Sequence, residues 1–311
     1  MVIQAVHVPE SAEEVVTRSG RGGWIMGGGT VVMPLVNSGA APATELVSLR
    51  RAGLDGIEVR DGVATIGAAA TLAAVGEHPG LAFLRPALRT IASPTIRNQA
   101  TVGGNLFVAQ PYGDLAVCLL ALDARCEIAG PAGRRDAPVA DVLGSGVGSG
   151  EVVVAVRATL PEPGTWYYHK AMRRRLNSAA IVTVASVTRT ADGTVTSDGV
   201  VTSDGVVTSD GVVTSDGVVT SDHVVTSDGV VTAATIALGG VAPRPVRAVS
   251  AERLLLGRPL THEVLTEAGE AARGDIDPFD DAYASAWYRT RVLPVHLRRA
   301  FIPEPEPQPY Q

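Results

Sequence analysis

Two glycine-rich runs are the residues in this chain best suited to chemistry. The first is Met26-Gly-Gly-Gly-Thr-Val-Val32, and the second is Thr101-Val-Gly-Gly-Asn105. Without a Cβ, glycine lets backbone N–H groups approach a ligand closely, and bare amides suit an anionic oxygen. In the first run Thr30 reads as the cap of a short helix through Val36, whose positive end would face the same place. In the second, the Thr101 hydroxyl and the Asn105 amide stand beside the glycines. Either run alone also fits a tight turn needing positive φ. Together they could clasp a diphosphate from two sides.

Other chemistries find no residues. The stretch Gly144-Ser-Gly-Val-Gly-Ser-Gly150 is followed by a strand pattern, not a helix, so it is no dinucleotide fingerprint. A phosphate loop of the Gly-x-x-x-x-Gly-Lys type is missing, and Lys170 is the sole lysine. There is no Gly-x-Ser-x-Gly elbow and no His-Glu-x-x-His, and the six histidines are scattered. Cys118 and Cys126 are too few for an iron–sulfur site or a zinc ribbon, and they read as reduced, buried thiols. A net charge of −6 argues against a nucleic-acid or anionic-membrane binder. With no signal peptide and no long apolar run, a cytoplasmic protein without a membrane span is expected.

The elements that must position the glycines alternate. Ser11 caps a helix, Gly22–Met26 gives a short buried strand, and the first glycine run follows. Ile57–Arg60 and Val63–Ile66 flank Asp61-Gly62, a two-residue hairpin signal. Thr71 caps a helix that stops at His78-Pro79, a second helix runs from Leu81 to Ile91, and a third from Asp114 to Leu122. Strands follow at Arg125–Ala129 and Val152–Thr159. After the linker Pro161–Gly164 come strands at Trp166–Met172, Ala180–Thr188 and Thr235–Leu238. Helices follow at Ala251–Leu256, Glu263–Ala272 and Ser285–Ala300, the last expected to be kinked or interrupted at Pro294.

Residues 196–231 are six tandem copies of Thr-Ser-Asp-Gly-Val-Val, one with His223 in place of glycine. An even repeat keeps strand register, so an expanded hairpin loop is expected. One carboxylate per hexad is thin for calcium. The tail, 303–311, is proline-rich and reads as an exposed extension.

The chain resembles the FAD-binding subunit of molybdenum hydroxylases, of the carbon monoxide dehydrogenase medium chain and xanthine dehydrogenase type. The resemblance rests on Gly27-Gly-Gly-Thr-Val-Val-Met-Pro-Leu-Val and on Ile91-Ala-Ser-Pro-Thr-Ile-Arg-Asn-Gln-Ala-Thr-Val-Gly-Gly-Asn-Leu. It rests further on Tyr168-His-Lys-Ala-Met-Arg-Arg-Arg, Leu238-Gly-Gly-Val-Ala-Pro-Arg and Ala284-Ser-Ala-Trp-Tyr-Arg. It implies an α+β chain: a two-subdomain FAD-binding fold of the vanillyl-alcohol oxidase type, residues 1–55 and 56–162. A C-terminal domain, 163–302, would follow, with a three-stranded antiparallel sheet, helices and the repeat as an insertion.

It implies non-covalent FAD, with Gly27, Gly28, Gly29, Thr30 and Val31 cradling the diphosphate and Thr101, Val102, Gly103, Gly104 and Asn105 closing on it. Asp114 would make a ribityl or ring-side contact, Val153 would pack near the adenine or flavin, and Lys170 would touch the flavin. Val31 departs from the polar residue many relatives carry there. The molybdenum cofactor and two [2Fe–2S] clusters would sit on large and small partner subunits, with electrons passing through FAD to an external acceptor. Arg173 to Arg175 and the helix from Ser285 are candidate docking contacts. The competing expectations are a free-standing flavin oxidoreductase and a flavin-free scaffold.

Overall fold

A computed structural model describes residues 2–174, 178–191 and 229–302. The first unit is a three-stranded parallel sheet of β1 (Ala5–His7), β2 (Trp24–Met26) and β3 (Glu45–Ser48), in the order β1-β3-β2. Parallel neighbours need crossovers, here made by α1 (Ala12–Ser19) and α2 (Val32–Asn37). The Ser11 hydroxyl accepts the Glu14 amide at 3.2 Å, so α1 starts where its cap signal placed it. β1 and β3 went unsignalled, because three or four residues show no periodicity.

The second unit is a five-stranded antiparallel sheet with strands β4 (Ile57–Arg60), β5 (Val63–Gly67), β6 (Arg125–Gly130), β7 (Gly133–Pro138) and β8 (Val152–Thr159). Its order is β4-β5-β8-β6-β7. Asp61 and Gly62 have φ of 51° and 73°, the left-handed pair that an Asp-Gly hairpin turn requires. The helices of this unit are α3 (Leu72–Glu77), α4 (Arg85–Thr90), α5 (Pro94–Arg97), α6 (Val102–Leu106), α7 (Asp114–Ala121) and α8 (Val139–Ser145). The expected Leu81–Ile91 helix is split. Pro79–Leu84 is a 3-10 segment with a break at Leu81, and α4 begins with Pro86 in its first turn. A proline inside one continuous helix would clash with the preceding turn, so the chain restarts there. Every residue of α7 is buried, as an all-round apolar helix must be.

The third unit is a four-stranded antiparallel sheet, β12-β11-β10-β9, of β9 (Trp166–Met172), β10 (Ala180–Thr190), β11 (Val231–Gly239) and β12 (Val246–Arg247). Three strands were expected. The fourth is two residues long, too short to leave a pattern. The period-2 alternation of this sheet decides what it covers. Val182, Val184, Ile236 and Leu238 face one core with helices α9 (Val249–Leu255), α10 (His262–Ala271) and α11 (Ala286–Phe301). Ala185, Ala237, Tyr168 and Val187 face the opposite way and join the core that surrounds α7. The C-terminal sheet therefore closes the second unit instead of standing apart from it.

Helix α11 runs through Pro294 without the expected interruption. Proline removes the donor to the Thr290 carbonyl, and Arg273 Nε supplies another at 3.1 Å. Gly269 of α10 lies against the same proline: a Cβ there would stand 2.9 Å from Pro294 Cβ, so only glycine admits this approach.

Most of the hexad repeat lies outside the described residues. Its flanks are neighbours, with Thr190 paired to Val231, and the last copy already enters β11. Removing 202–225 takes out four whole hexads and preserves strand alternation. The shortened protein is expected to keep its flavin content and melting temperature, because loop length changes closure entropy only slowly. Chromatographic flavin analysis and a thermal melt check both.

Candidate functional site

A cleft of about 1200 Å³ runs where the three units meet. It is lined by Gly27, Gly28, Gly29, Thr30 and Val31, by Thr101, Gly103, Gly104 and Asn105, and by Asp114, Val153 and Lys170. Sequence reasoning thus brought together residues from all three units. Val102 is the exception: it is fully buried in the core around α7 and does not line the cleft.

The first glycine run forms the loop between β2 and α2. Among the described residues, the amides of Gly27 to Val31 have no protein acceptor. Thr30 does not cap α2: the N-cap is Val31, which has no side chain able to accept a hydrogen bond. The glycines are forced by packing against the second run. A Cβ on Gly28 would enter the Gln99 carbonyl, and one on Gly27 would strike the Thr101 hydroxyl. Gly29, with φ of 73°, turns the chain in the left-handed region.

The second run differs from its expectation. From Val102 on, its backbone donors are already used: Val102 N–H to the Ala70 carbonyl at 2.9 Å, Gly103 N–H to Ala68 at 2.8 Å, Asn105 N–H to Thr101 at 2.9 Å. The Gly104 amide donates to the Thr101 hydroxyl at 3.1 Å, which caps α6. The run is a short helix rather than a bare amide loop, and neither Gly103 nor Gly104 has positive φ. Gly103 is glycine because a Cβ would press on Ala68, 3.0 Å from its carbonyl oxygen. At Gly104 a Cβ would meet only the Thr101 hydroxyl, at 3.0 Å. Asn105 is spent on the fold as well: its Oδ1 accepts the Ala116 amide at 3.2 Å, near the start of α7, which has no cap of its own.

Asp114, expected to touch a ligand directly, is almost fully buried, and each carboxylate oxygen holds a protein donor. Lys170 Nζ donates to Oδ2 at 2.8 Å and Thr183 Oγ1 donates to Oδ1 at 2.6 Å. Close to this cluster, burial and then the Asp114 charge push both the Cys118 thiol and the Tyr168 phenol well up from their usual ranges. Both stay protonated and neutral across the physiological range. They therefore supply no thiolate or phenolate to the cleft.

Three lining features went unread in the sequence, two of them because they pair residues distant along the chain. Tyr112 and Tyr283 meet hydroxyl to hydroxyl at 2.9 Å, and this bond carries the Tyr112 phenol up to about 12. Ile96, Phe107 and Tyr112 stay substantially exposed along the cleft. Arg173 is held by its own chain, donating to the Ala282 carbonyl at 3.1 Å; Arg175 lies outside the described residues.

The third feature is Glu151, which ties down the loop of residues 147–150 on the cleft wall. Its carboxylate takes both arms of Arg135, at 2.7 and 2.6 Å, and the Gly148 amide at 2.7 Å. Arg135 first, and then that amide, hold the Glu151 carboxyl down at about 2. Its contribution is complete above the ordinary glutamate value of about 4.3 and disappears as pH falls through about 2. Glu151→Gln is expected to lower the melting temperature by an amount that is constant above about pH 4.3 and shrinks toward pH 2. Melts at several pH values check this.

Comparisons with known proteins show the family. The model of the FAD binding domain in molybdopterin dehydrogenase matches residues 2–162, just over half of the chain. The chain belongs to this family. The model of the CO dehydrogenase flavoprotein C-terminal domain matches residues 218–303. The chain is 28% identical over 306 residues to the carbon monoxide dehydrogenase medium chain of Afipia carboxidovorans, covering 94% of each. It is 27% identical to a 6-hydroxypseudooxynicotine dehydrogenase complex subunit alpha of Paenarthrobacter nicotinovorans, covering 93% of this chain and 89% of that one. Its fold superimposes on a chain of carbon monoxide dehydrogenase from Hydrogenophaga pseudoflava with a TM-score of 0.79, at 26% identity and 96% coverage of both. The chain is thus an oxidoreductase flavoprotein component with an FAD-binding domain and an α+β fold.

No described helix is long and apolar enough to cross a membrane, and no group of metal-ligating side chains gathers among the described residues.

Proposed function

We propose that this chain is the FAD-carrying electron-transfer subunit of a multi-subunit molybdenum hydroxylase. In this reading the substrate is oxidised at a molybdenum cofactor on a large subunit. Electrons cross two [2Fe–2S] clusters on a small subunit, enter this flavin and leave to an external acceptor. The single observation that carries the reading is the loop of open amides, Gly27 to Val31, in a cleft that the family's FAD-binding domain lines. Relatives named as a medium chain and as a complex subunit support partners of this kind.

The residues fit the cofactor. Unpartnered backbone donors are what a diphosphate needs, and the missing side chains of Gly27 and Gly28 let the loop that carries them seat against residues 99–101. FAD, when bound, supplies a centre that takes two electrons and passes them on. The chain's own work is to hold it. Gly27 to Val31 give amides to the diphosphate. Thr101, with Gly104 beside it, walls the far side of the loop. Val153 gives an apolar wall, and Lys170 with Asp114 forms a charged but internally balanced stretch. The Glu151 clamp keeps residues 147–150 against the cleft. No acid or base is required, and the high ranges of Cys118 and Tyr168 leave them idle.

The test is co-expression with the iron–sulfur and molybdenum subunits, followed by heat release and chromatography of the flavin. FAD in the complex, reduced by substrate only when the partners are present, is expected. FMN alone would exclude the diphosphate cradle. A lone chain that oxidises a small substrate would establish the free-standing flavoenzyme instead.

A further inference from the structure

The only lysine of the sequence is also among the most deeply placed charges of the fold. Lys170 lies on β9, on the face of the C-terminal sheet that looks toward α7, and its side chain is 3% exposed. Its ammonium has two protein acceptors, Asp114 Oδ2 at 2.8 Å and the Thr90 carbonyl at 3.1 Å. Asp114, 5% exposed, opens α7 and takes its second donor from Thr183 on β10. Tyr168, the next inward residue of β9, binds Thr90 Oγ1 at 3.0 Å as a neutral group. The carboxylate thus stands on the FAD-binding part of the chain, and both of its donors come from the C-terminal sheet. Lys170 and Asp114 both line the cleft.

A buried charge acts strongly and is weakly screened by salt. Reduction gives the flavin a negative charge: FAD takes two electrons and one proton to become the anion FADH⁻. An unmasked ammonium in the cleft wall would bind that anion better than the oxidised form and so make the cofactor easier to reduce. A lysine whose carboxylate partner is equally buried gives no such preference.

We propose that Asp114 is a positioning residue that cancels the charge of Lys170 on the cleft wall, keeping the bound flavin reducing enough to hand its electrons on. This rests on the FAD reading above. It replaces direct contact between Asp114 and the ligand with an action through Lys170. It also gives the C-terminal sheet a part in setting the cofactor's potential, since that sheet carries both of the carboxylate's donors, Lys170 and Thr183.

Three variants of the full chain in complex with its partners test it: Asp114→Asn, Lys170→Met and the double variant. The readouts are FAD content and the flavin midpoint potential, from dithionite titration with indicator dyes. Asp114→Asn is expected to favour reduced over oxidised flavin at least tenfold, a positive shift of about 30 mV for two electrons. Lys170→Met is expected to shift the potential the opposite way, and the double variant to return near wild type. A purely structural role would lower stability in both single variants without moving the potential in opposite directions.

If Asp114→Asn does not fold, a Lys170→Met potential below that of the double variant sustains the proposal, and equal potentials overturn it. Single variants that keep FAD at the wild-type potential overturn it too. So does loss of FAD from all three variants while the wild-type complex retains it. A wild-type complex without flavin removes the cofactor reading itself, and this inference with it.

Discussion

Arg289→Met is expected to destabilise the protein by about 3–5 kcal/mol, the range for removing one partner from a buried charged network. Arg289 is completely buried. Its Nη1 donates to the carbonyls of Ala180 at 3.1 Å, Ile181 at 2.7 Å and Gly240 at 2.6 Å. Its Nη2 reaches Asp281 at 2.7 Å, and its guanidinium lies 4.8 Å from the Phe279 ring centroid. One side chain thus ties the start of α11 to β10, to the turn after β11 and to the loop before itself. Methionine fills much of the volume but donates nothing, so three carbonyls lose a partner where water cannot replace it. The melting temperature should fall by on the order of 10 °C, from about 2–4 °C per kcal/mol in larger domains. Asp281 keeps the Tyr283 and Ala284 amides, at 2.8 and 2.9 Å, so the loss comes chiefly from the carbonyls. A thermal melt settles the direction, and Arg289→Lys, with one ammonium for two sites, should recover only part of it.

Arg289 also shows what the sequence made legible and what it did not. The run Ala284-Ser-Ala-Trp-Tyr-Arg and the run Leu238-Gly-Gly-Val both carried the family resemblance, with no chemistry attached to either. In the fold they meet: Gly240, at φ 76°, turns its carbonyl onto Arg289 and donates its amide to Gln110 at 2.7 Å. Their work is structural, and spacing along the chain could not reveal it.

Local signals were reliable wherever a side chain bonds its own neighbourhood. Ser11 and Thr71 cap the helices they were expected to cap. Asp61-Gly62 makes the expected turn. The same kind of reading missed at Thr30, because the helix begins one residue later and the capping position falls on Val31. The alternation in β10 and β11 marked strands but not their two separate cores. That division appears only when α7 occupies one side and α11 the other.

The glycine runs are where sequence and structure diverge most usefully. Two similar clusters invited one role, an amide cradle on each side of a diphosphate. The first run keeps its donors open. The second, from Val102 on, spends them on Ala68, Ala70 and Thr101, and so it acts as a wall that fixes the first. The contact between the runs is the reason the first is glycine-rich: Gly27 and Gly28 seat directly against residues 99–101, whereas Gly103 is held to glycine by Ala68.

Gly104→Val and Gly103→Val are therefore expected to part company. At Gly103 an added Cβ meets the Ala68 carbonyl at 3.0 Å and its methyl at 3.1 Å, backbone and core that cannot yield. That variant should lose stability, by about 1–3 kcal/mol or more, with flavin lost as a consequence. At Gly104 the nearest obstacle is the Thr101 hydroxyl at 3.0 Å, and the residue lines the cleft. A valine there adds branched volume to the cleft wall without entering the core. Gly104→Val should fold with a melting temperature close to that of the apo wild type, yet retain little or no FAD. The measurement is flavin content per folded chain alongside a melt of both variants. If Gly104→Val binds FAD as the wild type does, the second run does not border the cofactor. The cradle of Gly27 to Val31 would then have to hold the diphosphate from one side alone.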